Sequence, residues 1–501
     1  MRLAGVIVRG MKLKGCDMRQ YRLPYDLRTL GLSLLAIVAL IIGMKIIGGW
    51  AFALLIPIAF MTLAGNRPEQ LVYILLLSIS TILMNGYFVP KDMIYAISER
   101  GLFVSLGFIL MTQVAGRRNS RLLTPVLGLL PYIAYMLLVS FFGWCPVISL
   151  LKIFLFTTIF MAYYAIAVRS SAKELDIKKL RGMILAIASF FIIGSIFAQR
   201  FGWAYMTLEE MADAPTDGAS LYKGLASHAN ALGGILAFYA LFLLADMLFV
   251  IQRPDKLYSL NLLCALYLIA RSGSRTSMGT FVLGASFAGY CFFKSRQVAG
   301  RWKNRIRSFA VLLVALGGLL ILLSSSGRDK IKRFVVKYGK QDEAVVMTTE
   351  NVIHSRQAKI EQGIDNWRKS PWVGNGFQVS EDMKGFKVSS LRSILTAPVE
   401  KSVWITAILE EGGVAGFIIF VLFLFIVIPT LVKRKAYIGG TMFFAFVCSN
   451  LGEFTFFSMS GGGGMQWGMV FVGFILDVQR LKIENRARAV PPIGPMMMSP
   501  R

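Results

Sequence analysis

Long apolar runs alternate with short polar segments along almost the whole chain. The first run starts near residue 30, the last ends near 479, and most approach the length that crosses a bilayer. The runs are 30–47, 50–65, 71–86, 101–115, 122–142, 147–167, 182–198, 228–250, 257–270, 276–293, 308–323, 402–431, 437–451 and 464–479. A globular core cannot bury so many apolar segments. The pattern predicts an all-α, polytopic membrane protein with about 14 transmembrane helices.

Composition agrees with this prediction. The 501 residues are 56% hydrophobic and only 16% charged, with a mean hydropathy of +0.62. An ordinary soluble domain has fewer apolar residues and about a quarter charged ones. The formal net charge of +27 would suggest nucleic acid in a soluble chain. In a membrane protein, its meaning depends on which loops carry it.

The basic residues favour one orientation. If residues 1–29 are cytoplasmic, the cytoplasmic segments hold 32 of the 54 Lys and Arg residues, against seven on the opposite side. Another 14 lie in the long loop 324–401, which is too long to count in the positive-inside rule. We therefore expect both termini in the cytoplasm and this loop outside. The charge becomes a topology signal, and nucleic acid is not an expected partner.

The same pattern divides the chain into five regions. A basic cytoplasmic segment, 1–29, precedes an N-terminal transmembrane bundle, 30–200. We expect the catalytic region in 201–431, which includes the external loop 324–401. Two C-terminal transmembrane helices, 432–479, lead to a cytoplasmic tail, 480–501.

Several familiar chemistries lack their motifs. The five cysteines are isolated, and the two histidines are too far apart for a zinc site. The chain has no phosphate-binding Gly-x4-Gly-Lys-Ser/Thr loop and no Asp-x-Asp pair for a divalent metal. We therefore expect no metal and no cofactor. The chain also lacks an internal sequence repeat, which would have indicated a transporter built from related halves.

Polar residues that could carry chemistry cluster on the predicted external side. His228 and Asn230 begin an apolar run, where they either cap a helix or line an external cavity. Arg271 and Arg275 flank a Ser/Gly-rich break between two runs. Arginines at this depth either extend to lipid head groups or bind an anion such as phosphate.

The long loop contains a predicted amphipathic helix. Apolar residues at 353, 360, 364 and 367 share one helical face, and Ser355–Arg356 lies at the expected helix start. Pro371-Trp-Val-Gly-Asn-Gly-Phe377 follows as a glycine-dependent turn. Packing of this helix on the bundle accounts for Trp367 and Trp372 but not for Arg356.

The order of these features resembles the O-antigen ligase and O-antigen polymerase superfamily, bacterial envelope enzymes of the multi-span GT-C type. The resemblance covers roughly residues 220–430. It consists of Asn230 at a span start, Ser274–Arg275, Ser355–Arg356, the 371–377 turn, and Glu-x-Gly-x-x-Gly at Glu411, Gly413 and Gly416.

This resemblance implies a glycosyltransferase in the bacterial inner membrane with its active site facing the periplasm. It implies a glycan donor on undecaprenyl diphosphate and an acceptor glycan hydroxyl. A chain-length regulator and a flippase would be further partners beside the lipid bilayer. The family arginines that hold the diphosphate correspond to Arg275 and Arg356. Arg271 and Lys401 are further candidates for diphosphate binding.

One family residue is missing. Ligases carry a histidine, assigned as the base, nine residues before the Glu of Glu-x-Gly-x-x-Gly, and this chain has Ser402 there. Glu400 is the nearest carboxylate and becomes the candidate base, with His354 as its rival; an ordinary interfacial role for Glu400 and Lys401 stays open. The departure favours a polysaccharide polymerase, with a ligase that joins glycan to lipid A core as the close alternative.

Two other classes remain open at this stage. A lipid-linked glycan exporter, or another transporter, would use the same basic rim, with Asp246 and Glu453 as intramembrane coupling groups. A structural scaffold would leave the buried arginines without a role.

A geometric prediction separates the enzyme from the transporter. If the chain is an enzyme, Arg275, Arg356 and Glu400 should converge on one cavity that opens outward. An experimental structure of the protein in a bilayer measures this convergence directly. Placement of the three side chains on separate faces would contradict the enzyme and favour the transporter.

Overall fold

The computed structural model describes most of the chain outside the long loop. The described residues are 23–90, 92–114, 121–172, 175–205, 222–251, 255–295, 349–379, 381, 401, 403–458 and 461–489. For 349–358 only the helical backbone is described, not the side chains. The predicted span 308–323 lies outside these residues.

The described residues fold as α-helices joined by short turns, without a β-strand, so the predicted all-α class is confirmed. The first eight helices are α1 Leu27–Ile47, α2 Gly49–Ala53, α3 Leu55–Ala64, α4 Pro68–Leu83, α5 Met93–Val114, α6 Leu130–Phe141, α7 Pro146–Ala172 and α8 Ile177–Arg200. The rest are α9 Ala229–Asp246, α10 Lys256–Ser272, α11 Arg275–Lys294, α12 Thr349–Lys369, α13 Trp404–Lys433, α14 Tyr437–Ser449 and α15 Gly461–Ala489.

Within the described residues, eight helical segments have the length and composition to cross a membrane. They are Leu27–Ile47, Met93–Leu110, Thr124–Phe142, Pro146–Ser170, Ile177–Arg200, Ala229–Ile251, Arg275–Lys294 and Trp404–Lys433. Three other apolar segments are shorter, and the predicted span 50–65 is interrupted between Ala53 and Leu55. The chain thus has the architecture of a polytopic helical membrane protein; the number of fourteen spans and the orientation stay predictions.

Helix α9 lies at the centre of the bundle. The segment Ala229–Ile251 is 67% buried, whereas the N-terminal span Leu27–Ile47 is only 22% buried. The residues of α9 itself are apolar on every face of the helix, as is typical of a helix enclosed by others. Helix α9 packs against α10, α11 and α14, while its first turn is only partly buried.

Side-chain caps fix the starts of the helices that surround the candidate site. The His228 imidazole accepts the backbone N–H of Asn230 at the start of α9. Ser274 caps α11 by accepting the N–H of Ser277. These caps satisfy backbone donors that a helix leaves unpaired in its first turn. Gly233 allows the two starts to approach, because a Cβ there would lie 2.7 Å from the Ser277 hydroxyl.

A buried ion pair joins α8 to the far end of α9. The Arg181 guanidinium donates two hydrogen bonds of 2.6 Å to the two carboxylate oxygens of Asp246. The Tyr258 hydroxyl donates to the same carboxylate at 3.2 Å. Asp246, which the sequence offered as a transporter coupling group, is therefore compensated by a bidentate partner.

We expect this pair to stabilise the bundle strongly. Arg181→Ala leaves a buried carboxylate without its cation and should lower the free energy of unfolding by about 3–5 kcal/mol. Denaturation of the purified protein in detergent measures the loss. The matched control is Lys179→Ala, which breaks an exposed 3.3 Å pair with Asp176 on the same helix. The control should cost about 0–1 kcal/mol. Equal effects of the two variants would contradict the expected role.

Candidate functional site

Helix α13 is broken at Gly413. This residue has φ 61° and ψ −166°, which is not helical. The break frees backbone groups that helical neighbours would otherwise satisfy. The carbonyl oxygens of Glu410 and Glu411 accept the N–H groups of Asn375 and Gly376 at 3.0 and 3.1 Å. In return, Val414 and Ala415 donate to the carbonyl oxygens of residues 371 and 372 at 2.9 and 3.2 Å. The turn 371–377 therefore completes the hydrogen bonding of the broken helix.

This backbone contact explains two of the motif glycines. A Cβ on Gly413 would overlap with the backbone of Trp372, and a Cβ on Gly374 would overlap with the carbonyl group of Glu411. Both glycines also have positive φ, at 61° and 80°. The two motifs, about forty residues apart in sequence, thus form one structural unit, which we call the glycine interlock (residues 371–377 with 410–416).

Polar side chains hold the interlock from both sides. The Asn375 amide donates to the carbonyl oxygens of Asn366 and Glu410 at 2.8 and 3.1 Å. The Tyr135 hydroxyl donates to the Gly412 carbonyl at 2.8 Å. Lys152 donates to the carbonyl oxygen of Gln378 at 2.9 Å. Lys152, which lies within the predicted span 147–167, therefore binds the backbone next to the turn.

A buried charge cluster adjoins the interlock. The Lys401 ammonium lies 3.0 Å from a carboxylate oxygen of Glu410 and 3.1 Å from one of Glu411. The exposed fractions are 9%, 3% and 0% for Lys401, Glu410 and Glu411. The Asn366 amide donates to the other oxygen of Glu410 at 3.0 Å. We call these three charged residues the Lys–Glu cluster; they bring one positive and two acidic groups out of water.

The two acids keep Lys401 charged. Burial alone lowers the pKa of Lys401, but the charges of Glu411 and Glu410 outweigh burial and raise it above the usual 10.5. Because the pKa of the folded state is raised, this contribution to stability is present at neutral pH and disappears only in strong alkali. Lys401 is thus already compensated by carboxylates, which weakens the expectation that it binds diphosphate.

A cavity of 410 Å³ opens beside Lys401. This volume falls in the range of small-molecule sites. Polar side chains make up much of its wall: His228, Asn230, Ser274, Thr276, Ser277, Thr280, Lys401, Ser449, Glu453, Thr455, Ser458 and Gln466. The first turns of α9 and α11 both reach it, so the positive ends of two helix dipoles adjoin one cavity. The Thr280 hydroxyl is buried and has no hydrogen-bond partner among the described residues.

A turn between α14 and α15 supplies Glu453 to this cavity. The Asn230 amide donates to the Glu453 carboxylate. Gly452 lets the turn lie directly on α11, because a Cβ there would overlap with Thr276. The same turn is tied to the start of α13 by the Phe454 N–H, which donates to the Lys401 carbonyl at 3.3 Å. Three elements that are distant in sequence therefore fix Glu453.

The structure brings together some of the residues selected from the sequence. His228, Asn230 and Lys401 line the cavity. Arg275 is the first residue of α11 and is half-buried, between the lining residues Ser274 and Thr276. Arg271 points away from this wall: it is exposed, bonds the Tyr205 hydroxyl at 3.1 Å and lies over the Tyr222 ring.

Three selected residues lack a described side chain. His354 and Arg356 lie on α12, whose backbone is already helical from Thr349, so Ser355–Arg356 is inside the helix rather than at its start. Glu400 lies outside the described residues. The predicted convergence of Arg275, Arg356 and Glu400 therefore stays a prediction.

Sequence reasoning missed the acidic partners of Lys401. Glu410 and Glu411 are adjacent carboxylates inside an apolar run, a signal that a buried cation must lie nearby. Trp372 was misinterpreted: its side chain is 73% exposed and is not packed on the bundle. Residues 461–464, which are four consecutive glycines, form the first turn of α15.

Within the described residues, no group of three or more His, Cys, Asp or Glu side chains is placed to hold a metal ion. Comparison of the chain with protein-family models and with curated proteins found no match.

The interlock predicts which glycines tolerate substitution. Gly413→Ala forces a side chain into the backbone of Trp372 at positive φ, so it should destabilise the protein by more than the roughly 1–3 kcal/mol of backbone strain alone. Thermal unfolding in detergent and proteolysis within 371–378 would report the change.

Gly279→Ala is the matched control. Gly279 lies in α11, and a Cβ there meets only open space. In a helix, alanine is favoured over glycine by roughly 0.5–1 kcal/mol, so the control should be neutral or slightly stabilising. Similar melting temperatures for the two variants would show that residues 371–377 do not pack on α13 as described.

Proposed function

We propose that this chain is a metal-independent membrane glycosyltransferase of the O-antigen ligase-like superfamily. It would transfer glycan from an undecaprenyl-diphosphate donor to a sugar hydroxyl and so polymerise a surface polysaccharide or exopolysaccharide. One observation carries the proposal: two of the motif residues, Asn230 and Ser274, line a single polar cavity, and Lys401 joins that cavity to the glycine interlock. Lys401 lines the cavity as well and pairs with the Glu410–Glu411 end of the interlock.

The cavity suits a carbohydrate. Its hydroxyl, amide and carboxylate groups offer many donors and acceptors, which a polyhydroxylated ligand can satisfy. Aliphatic and aromatic side chains, including Leu83, Ile235 and Phe238, complete the wall. Such a mixture of apolar surface and convergent polar groups is typical of ligand sites.

The reaction needs stabilisation of a leaving diphosphate. A sugar on a lipid diphosphate is already activated, so transfer requires no ATP. Negative charge develops on the departing phosphate oxygens, and nearby cations or helix N-termini lower the energy of that state. Arg275 has both properties, because it is a guanidinium in the first turn of α11. Arg356 would provide the second cation.

A membrane setting fits a lipid-linked donor. The candidate spans give an apolar surround for the undecaprenyl chain, while the site would face the periplasmic side of the bacterial inner membrane. Ser402 occupies the position at which ligases carry the histidine, which favours polymerase over ligase. Export is less supported, because Asp246 is held in a bidentate pair with Arg181 that joins α8 to α9.

A deletion strain tests the proposal. We expect loss or shortening of one surface glycan on a gel and accumulation of its lipid-linked precursor. The wild-type gene should restore the polymer, whereas Arg275→Ala and Arg356→Ala should not, because each removes a cation from the diphosphate site. Immunoblots of membranes should show unchanged amounts of both variants.

Arg368→Ala is the matched control for α12, since Arg368 is 71% exposed and pairs only locally with Asp365 in the described contacts. It should restore normal polymer. A normal chain-length distribution with both Arg275→Ala and Arg356→Ala would contradict the site assignment. Loss of polymer transfer to lipid A core, with normal polymer on the precursor, would indicate a ligase.

A further inference from the structure

Glu453 is the one carboxylate that lines the cavity, within the described part of the chain. We infer that the cavity receives the hydroxyl of the acceptor glycan and that Glu453 takes its proton. This inference rests on the proposed transferase and names both the acceptor subsite and the base. It differs from the sequence-based candidates, Glu400 and His354.

The charges of the cavity favour a neutral ligand. Glu453 would repel a diphosphate, and Lys401, the one cation in the described wall, already faces two carboxylates. A carboxylate and several hydroxyls, by contrast, are suited to sugar hydroxyl groups. The donor's diphosphate would then lie outside this wall, on the side where Arg275 begins α11.

His228 lines the same cavity but is not suited to act as the base. Its Nδ1 accepts the backbone N–H of Asn230 at 3.1 Å, so this nitrogen must be unprotonated. A neutral imidazole with that arrangement carries its proton on Nε2. His228 can therefore donate a hydrogen bond to a substrate oxygen, whereas it could accept a proton from a hydroxyl only by losing the cap of α9.

Neighbouring groups hold Glu453 in place. Asn230 donates to its carboxylate from α9, and Gly452 brings its turn against Thr276 of α11, the residue after Arg275. On the third side, the backbone of the turn is bonded to Lys401. The charged or titratable side chains that these elements carry nearest the turn are His228 at the start of α9, Arg275 at the start of α11 and Lys401 before α13. Asn230 is a positioning residue, because it fixes the carboxylate without contacting the reacting atoms.

The proposed step is balanced without another reactant. The acceptor O–H bond breaks as its proton moves to a Glu453 oxygen, and the acceptor oxygen forms a bond to the anomeric carbon of the donor sugar. The bond between that carbon and the diphosphate oxygen breaks, and its electron pair leaves with the diphosphate. Glu453 then releases the proton to water. General-base assistance of this kind contributes about 10²–10⁴-fold to a rate.

The test measures transfer by the purified full-length protein in lipid nanodiscs. The probe is the lipid-linked oligosaccharide extracted from the deletion strain, which serves as donor and acceptor. Glu453→Gln should lower kcat by about 10²–10⁴-fold with little change in KM for the donor. Glu453→Asp keeps a carboxylate and should retain intermediate activity. Glu361→Gln, on the exposed surface of α12, is the control and should match the wild type.

The pH dependence of kcat in a second variant keeps the test decisive if Glu453→Gln fails to fold. Asn230→Ala removes a neutral partner of Glu453 and should shift the acidic limb of the pH–kcat profile, since the base loses a bond to its charged form. Two results would overturn the role of Glu453 without affecting the proposed function. One is a kcat of Glu453→Gln within threefold of the wild type. The other is an acidic limb that does not move in either Asn230→Ala or Glu453→Asp. Failure of the wild type to transfer glycan would overturn the proposed function itself and this role with it.

Discussion

The architecture of the site depends on one requirement: backbone groups freed by a break in an apolar helix must find partners. A backbone N–H or C=O group that finds neither a protein partner nor water at membrane depth would cost several kcal/mol. At Gly413 the turn 371–377 provides those partners through its own backbone. This fixes the end of α12, the break in α13 and the carboxylates of Glu410 and Glu411 relative to one another. The turn that follows α12 is thus held in place by hydrogen bonds to the backbone of α13.

Two buried charge clusters serve different purposes in this bundle. Arg181 and Asp246 form a one-to-one bidentate pair, which joins helices α8 and α9. In the Lys–Glu cluster, two acidic side chains share one ammonium, so the numbers of acidic and basic groups are unequal. Such an imbalance is costly to bury and is more typical of functional sites than of structural ones. Its location at the wall of the cavity agrees with that interpretation.

Local sequence patterns predicted the helices because the length of an apolar run reports directly on a spanning segment. They also identified the turn 371–377 from its glycines, whereas Gly413 and Gly416 were selected only through the family resemblance and not as a break in the helix. They could not predict that the two motifs would bond to each other, because this contact joins residues far apart in the chain. For the same reason the partner of Lys152 could not be predicted: its acceptor, the Gln378 carbonyl, lies 226 residues away. Glu453 shows the same limit, as only the folded chain places it against Asn230.

Trp372 has a consequence for how the protein sits in its membrane. Its indole is 73% exposed, yet its backbone is bonded to α13 at the helix break. Tryptophan partitions to the boundary between lipid tails and head groups. In a bilayer, an indole whose backbone is bonded to α13 would anchor the helix at this boundary. It would thereby set the depth of the Lys–Glu cluster relative to the lipid surface. Bilayer thickness would then become a variable of the site, because a thinner or thicker membrane changes how far the cavity lies from the water.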